Sequence, residues 1–166
     1  MLFARVVRFL ALPFARKLAL CEAVLLLVAA QAMVKIVPYR RWAPLLGPIR
    51  GEAEPDTARE DREEPQLVAW AVAQAARLLP WDAVCLPRAM AAKWMLARRN
   101  VASTLCVGIR RTAATEGGAE LHAWLSVAGR ALVGGEIADQ FTVIARYGPA
   151  GGLPRTERGI GRSASG

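Results

Sequence analysis

The segment CLPRAMAAKWMLARRN, residues 85–100, has the composition of a helix with both ends marked. Pro87 is tolerated in a first helical turn, because no backbone N–H is needed there. Arginines suit the negative C-terminal end of a helix, and Asn100 can close it in a left-handed conformation. We therefore predict a helix from Cys85 to about Arg99, with a thiol at its N-terminus.

Two helical regions precede this one. The first covers about Leu2–Val37, with a bend at Pro13, which has no N–H to donate. The second covers about Leu67–Leu79, where apolar residues follow a helical stripe. Between them, residues 51–66 are acidic, hold two prolines and lack apolar periodicity, so we predict an exposed linker.

The chain after the Cys85 helix changes to the period of β-strands. Strands are predicted at Val101–Arg111, Leu121–Val127, Arg130–Val133 and Phe141–Arg146, with a tight turn at Ala128–Gly129. A helix followed by such short strands indicates an α+β fold with an antiparallel sheet.

The composition limits the classes of function. The chain has 166 residues and a formal net charge of +8. The basic residues do not form a run interleaved with aromatics, and no zinc-finger or RNA-binding motif occurs, so we predict no nucleic-acid binding. The chain has three cysteines and no CxxC pair, which fits a reducing, cytoplasmic environment.

An apolar run near the N-terminus, Leu18–Val37, is about as long as the ~20 residues of a membrane span. Glu22 and Lys35 interrupt it, and each charge at mid-bilayer would cost about 3 kcal/mol. No signal-peptide cleavage pattern follows it. We predict a long, largely buried helix, with the basic residues among 1–37 available to an anionic membrane surface.

The candidate catalytic residues are Cys85 and His122, the single histidine, in the stretch AELHAWLSVAG. A helix N-terminus and a nearby imidazole both favour a thiolate, and the N–H groups of the helix start could form part of an oxyanion hole. Strand alternation puts His122 and Trp124 on one face, with Trp124 packing beside the histidine.

The alternative is that these residues are structural. A cysteine at a helix start can pack as a small hydrophobe, and a lone histidine on a strand can be a structural residue. Cys21 and Cys106 lie in apolar runs and are predicted core residues. Because ligand pairs at short spacing are missing, we predict neither a metal nor another cofactor.

The order of cysteine on a helix and histidine on a strand is that of transglutaminase-like and papain-like hydrolases. The sequence CLPRAMAAKWMLARRNVASTLCVGIRR, followed by HAWLSVAGR, resembles that of the stand-alone leader-peptidase protein of lasso-peptide biosynthesis. The resemblance covers about Trp81–Tyr147, and more loosely the helix ending in PYRRW. It implies a transglutaminase-like cysteine protease with Cys85 as nucleophile and His122 as base.

The chain departs from this family at the third catalytic residue. The family usually has an Asp about a dozen residues after the histidine, but this chain has Gly134 there. The nearest carboxylates are Glu136, which we prefer, and Asp139. A third group would hold the imidazole tautomer, and a backbone carbonyl or a water could replace it.

The resemblance also implies an organisation and a set of partners. We predict an N-terminal helical extension (1–50), an acidic linker (51–66), a transglutaminase-like catalytic core (67–147) and a flexible tail (148–166). The implied partners are the precursor with its leader peptide, a separate leader-recognition protein and an ATP-dependent lasso cyclase. The rival interpretations are an acyltransferase on the same fold and a non-catalytic scaffold of the maturation complex.

Overall fold

Helix α1 spans Phe14–Ile36 and begins directly after Pro13. This computed structural model describes residues 11–49, 63–81, 84–111 and 119–148. Pro13 is the N-cap of this helix, and residues 2–10, on the other side of the predicted bend, lie outside the described residues. The helix ends before Pro38 as predicted, with Val37 in extended backbone, since a residue before proline disfavours the helical conformation.

A short connection brings the chain from α1 to the sheet. Helix α2 spans Tyr39–Trp42 and a 3-10 turn spans Ala43–Leu46. Trp42 and Leu46 are buried, and the hydroxyl groups of Tyr39 and Tyr147 share a hydrogen bond. Burial and that hydrogen bond raise the pKa of Tyr147 to about 12. This segment is therefore anchored against the last strand.

Helix α3 spans Glu63–Leu78, so it begins four residues before the predicted start at Leu67. Glu63 and Glu64 stand in its first turn, where negative charge is favourable, and Pro65 is tolerated there. The part of the predicted linker at 63–66 is therefore helical, and the part at 51–62 lies outside the described residues.

Helix α4 spans Cys85–Arg98, as predicted. The N-cap Val84 has extended backbone, and Asn100 has a φ of 54°, the left-handed conformation expected after the helix. Cys85 is thus the first residue of the helix, with the unpaired N–H groups of the first turn beside it.

Four antiparallel strands follow, in the spatial order β3-β2-β1-β4. They span Thr104–Arg111, Ala119–Val127, Arg130–Val133 and Thr142–Tyr147. Each prediction is confirmed within three residues at either end. The sheet and the helices together give the predicted α+β fold with an N-terminal helix. The predicted flexible tail falls, from residue 149, outside the described residues.

Helix α4 packs on one face of the sheet, and α3 contacts β3. Helix α1 packs on α3 and α4, and α4 packs on β2. Leu27, Met90, Leu105 and Leu125 are fully buried in this cluster. Alanines fill the helix contacts, which lets the helix axes approach closely: Ala19, Ala23, Ala30, Ala71, Ala75, Ala89 and Ala92.

Helix α1 buries only one of its faces. Leu27 is fully buried, whereas Leu18 is 59% and Leu25 70% exposed. The prediction of a largely buried helix therefore holds for one face only, and the prediction of Cys21 as a core residue is wrong, because it lies on the exposed face. Among the described residues, one helix is long enough and apolar enough to cross a membrane, judged by length and composition only. This helix is α1.

A buried lysine ties α4 to the ends of two strands. The ammonium of Lys93 donates hydrogen bonds to the carbonyl oxygens of Ser103 (2.9 Å), Tyr147 (3.2 Å) and Gly148 (2.7 Å). Burial lowers the pKa of Lys93 to about 8. The three acceptors satisfy a charge that would otherwise be costly to bury.

Candidate active site

The thiol of Cys85 lies at the start of α4, where the helix meets the core. Cys85 is half-buried and packs against the cluster between the helices and the sheet. Among the described residues, the first turn of α4 contains no acidic residue and the N-cap Val84 makes no side-chain capping hydrogen bond. The site is suited to hold a thiolate or a developing oxyanion.

The imidazole of His122 lies on β2, directly across from Gly108 of β1. The ring stacks on Trp124, with centroids 6.0 Å apart, and tilts against Phe141 at 5.0 Å. A Cβ on Gly108 would come within 2.8 Å of the Cβ of Phe141 and 2.9 Å of the indole of Trp124. Glycine at 108 therefore leaves room for the rings of Trp124 and Phe141, against which the histidine packs. The predicted packing of Trp124 beside His122 is confirmed.

The ring is oriented by a backbone carbonyl. Nε2 of His122 lies 2.7 Å from the carbonyl oxygen of Gly134. Since a carbonyl only accepts, Nε2 carries the proton, and Nδ1 keeps its lone pair. Gly134 has a φ of 73°, and its ideal Cβ would lie 3.0 Å from the carbonyl oxygen of Ala123. Glycine thus permits both the conformation and the close approach that aim this carbonyl at the ring.

Neither candidate carboxylate contacts the histidine. Glu136 and Asp139 are exposed, and Asp139 stands in a 3-10 turn, Ala138–Gln140. Over the part of the chain that the structure describes, no hydrogen bond or ion pair joins either carboxylate to His122.

The structure does not bring Cys85 and His122 together. Helix α4 covers the sheet face that carries Ala123 and Leu125, and the His122 ring lies on the other face with Trp124. Within the described ranges, no hydrogen bond joins the thiol to the imidazole. The paired register of β2 with β3 begins only at Leu125, so His122 has no β3 residue beside it.

The thiol on the same face as His122 is that of Cys106, which pairs with Trp124 across the two strands. Cys106 is buried, which confirms the sequence prediction. Burial raises the pKa of this thiol, although Arg146 and a hydrogen bond with Ser126 counter part of the rise. These surroundings keep Cys106 in its protonated form and make it a core residue rather than a nucleophile.

Two features of the site had little signal in the sequence. The Gly134 carbonyl was indicated only indirectly, by a glycine where the resembled family has an acid. Lys93 stands in the middle of the α4 sequence like a surface lysine, and only the fold reveals its three carbonyl partners. In the described segments, no group of three or more His, Cys, Asp or Glu side chains could hold a metal ion.

Comparison with known families gives one match. The model of the transglutaminase-like superfamily matches residues 30–146, from the last part of α1 to β4. Neither the curated proteins nor the solved structures gave a significant match. The matched range contains α4, its N-terminal cysteine and the strand that carries His122. The chain therefore belongs to the transglutaminase-like superfamily.

Proposed function

We propose that this protein is a cysteine peptidase that removes the leader from a ribosomally made lasso-peptide precursor. Its superfamily suggests cysteine-protease or acyltransferase chemistry, and the CLPR helix with the HAW strand resembles the lasso leader peptidases. The observation that carries the proposal is the placement of two side chains, a thiol and an imidazole. Cys85 opens α4, and His122 is held through Nε2 with the lone pair of Nδ1 left over.

The first half of the reaction forms an acyl-enzyme. Nδ1 of His122 takes the thiol proton, and the sulfur of Cys85 bonds to the scissile carbonyl carbon of the precursor. The N–H groups at the start of α4 stabilise the resulting oxyanion. His122 then gives its proton to the leaving nitrogen, the C–N bond breaks, and the core peptide departs with a free amine.

The second half hydrolyses the thioester. His122 takes a proton from water, and the hydroxide oxygen attacks the thioester carbon. The C–S bond breaks, the leader leaves as a carboxylic acid, and the sulfur regains a proton from the imidazolium. Because the Gly134 carbonyl accepts a hydrogen bond from Nε2, Nδ1 is the nitrogen that acts as the base.

This mechanism requires His122 to reach Cys85 when the precursor binds. Catalytic hydrogen bonds are often long or poorly aligned in a substrate-free enzyme and tighten in the complex. Residues Ala119–Ser126 of β2 are paired with β1, so this movement has to displace that part of β2 against β1.

The partners follow from the same proposal. A separate leader-recognition protein delivers the precursor, and an ATP-dependent cyclase closes the freed core peptide onto an acidic side chain. These reactions place the protein in the cytoplasm, where ribosomal precursors and ATP are present and where its three free cysteines stay reduced.

The test is cleavage of the precursor in the presence of the leader-recognition protein, followed by mass spectrometry. We expect free leader and free core from the wild type, and intact precursor from Cys85→Ala and His122→Ala. Cys106→Ala is the matched control and should still cleave. Loss of cleavage in Cys106→Ala alone, with Cys85→Ala active, would refute the assignment of the nucleophile.

A non-catalytic scaffold is the second candidate. The observation in its favour is the placement of Cys85 and His122 on different sides of the sheet. A scaffold would leave the precursor intact while folding and binding its partners normally. An acyltransferase would instead give the leader with the mass of an added amine in the same assay.

A further inference from the structure

The exposed face of α1 is an apolar stripe along the whole helix. We call it the α1 stripe, and it repeats every three or four residues: Phe14, Leu18, Cys21, Leu25, Val28, Ala32 and Ile36. Phe14 and Ile36 are 80% and 79% exposed. This spacing keeps the stripe on one side of a helix, and 23 residues at about 1.5 Å each extend for roughly 35 Å. Isolated exposed apolar residues are ordinary, but a continuous stripe of this length marks a contact surface.

The charged residues along the α1 stripe are mostly basic. Glu22 is the one acidic residue among residues 11–49, and it is engaged by Arg98 and Arg99 at 3.3 and 2.6 Å. Basic residues flank the stripe at both ends: Lys17, Lys35, Arg40 and Arg41. The guanidinium of Arg16 lies over the ring of Trp70 on α3 instead. Within residues 11–49, the surface is therefore apolar in its centre and basic at its ends, and its one carboxylate is engaged by two arginines.

This charge pattern disfavours a second copy of the chain as the occupant. If two α1 helices paired antiparallel, Lys17 of each copy would meet Lys35 of the other. If they paired parallel, each basic cluster would meet itself. Like charges oppose both arrangements, whereas an anionic surface complements both ends of the helix.

The opposite face of α1 rules out a bilayer span for this folded chain. That face packs on α3 and α4 with Ala23, Leu27 and Ala30 fully buried. A helix that crossed the bilayer would have to give up these contacts with the domain. A helix that lies in the plane of the interface keeps them and still buries its outer face.

We propose that the α1 stripe docks the protein on the surface of an anionic lipid bilayer. The helix lies in the membrane plane, Leu18, Leu25 and Val28 enter the acyl boundary, and the basic ends contact phosphate headgroups. The proposal does not rest on the peptidase activity, and its test reads membrane binding only.

The test is flotation of the full chain with vesicles of phosphatidylcholine alone or mixed with phosphatidylglycerol. Each basic side chain near an anionic surface strengthens membrane binding by about fivefold. Several of them together therefore predict at least about tenfold stronger partitioning onto the anionic vesicles at low salt. High salt should remove most of that difference. Equal or undetectable partitioning onto the two vesicle types would overturn the proposal.

A pair of variants distinguishes membrane binding through the α1 stripe from nonspecific binding of the protein to vesicles. Leu25→Glu should weaken anionic-vesicle binding by at least about tenfold, since a carboxylate would enter the acyl boundary. Ile144→Glu is the control, because Ile144 is also exposed (56%) but lies on β4, and it should bind like the wild type. Unchanged circular dichroism and melting temperature establish that each variant is folded. Equal losses in the two variants would overturn the assignment of the stripe.

A second pair of variants tests whether binding requires the basic side chains. Lys35→Gln should weaken binding about fivefold at low salt, whereas Arg111→Gln, an exposed position on β1, should leave it unchanged. Light scattering without lipid tests the rival occupant. A dimer in the wild type that Leu25→Glu converts to a monomer would identify the stripe as a dimer interface and overturn the membrane proposal.

Discussion

The protonated Nε2 of His122 donates a hydrogen bond to the carbonyl oxygen of Gly134 across 2.7 Å. The carbonyl stands where the resembled family has an aspartate. A neutral carbonyl can fix the tautomer of the ring, but it stabilises an imidazolium less than a carboxylate does. The proposed enzyme is thus a cysteine–histidine dyad with a backbone orienting group.

We predict that the two nearby acids are dispensable. Glu136→Gln and Asp139→Asn should retain cleavage within about threefold, because a triad acid that mattered would cost up to about 10⁴-fold when made neutral. The measurement is kcat/KM for precursor cleavage. A loss in Glu136→Gln as deep as that in His122→Ala would show that this carboxylate moves to the ring in the complex.

We predict that Gly134→Ala slows cleavage by about tenfold or more, through loss of ring orientation. The alanine Cβ would be strained at a φ of 73° and would crowd the carbonyl oxygen of Ala123. The readout is kcat/KM together with the histidine nitrogen chemical shifts, which report the tautomer. Full activity with an altered tautomer would contradict the orienting role.

Glu22 should fasten α1 to the end of α4. Its carboxylate side chain is 13% exposed and lies between Arg98 and Arg99, so we expect Glu22→Gln to lower the free energy of unfolding by about 1–2 kcal/mol. The matched control is Glu120→Gln, because Glu120 is 46% exposed beside Arg110 and such pairs contribute about 0–1 kcal/mol. Urea unfolding of both variants measures the difference. Equal effects would mean that the Glu22 pair has no special role.

Lys93→Met should destabilise the fold by about 2–4 kcal/mol, because it leaves three carbonyl oxygens without their donor. Urea unfolding near neutral pH measures this loss. A variant as stable as the wild type would show that relief of the buried charge offsets the lost hydrogen bonds.

The stability contributed by Lys93 should depend on pH with a defined sign. Burial lowers the pKa of Lys93 in the folded state to about 8, below about 10.4 for an unfolded lysine. Between these values the unfolded chain holds the extra proton, so the free energy of unfolding rises with pH. The difference between the wild type and Lys93→Met should therefore grow between about pH 8 and pH 10. A difference that shrinks over this range would contradict the shift.

Local patterns predicted most of the elements, because caps and periodicity are local properties. Pro87 and Asn100 marked the two ends of α4, and alternation in β2 separated His122 and Trp124 from Ala123 and Leu125. Alternation does not say which face a helix will cover, however. The helix covers the face with Ala123 and Leu125, so in this structure His122 does not supply the nearby imidazole that Cys85 was expected to have.

The errors on α1 have a related cause. Its sequence is apolar around most of the circumference, so composition alone could not separate the buried Leu27 from the exposed Leu25. Cys21 was misplaced for the same reason. The early start of α3 at Glu63 was missed because its acidic first turn continues the composition of the linker.

The central claim, that His122 activates Cys85, is tested most directly by the alkylation rate of each cysteine near neutral pH, mapped by peptide mass spectrometry. Cys21 is the internal reference, since it is an exposed thiol on α1. With the precursor leader and its recognition protein bound, we expect Cys85 to react at least about tenfold faster than Cys21, as an activated thiolate does. In His122→Ala that advantage should disappear. The account would be contradicted if Cys85 reacted more slowly than Cys21 and if its rate were the same in the wild type and in His122→Ala.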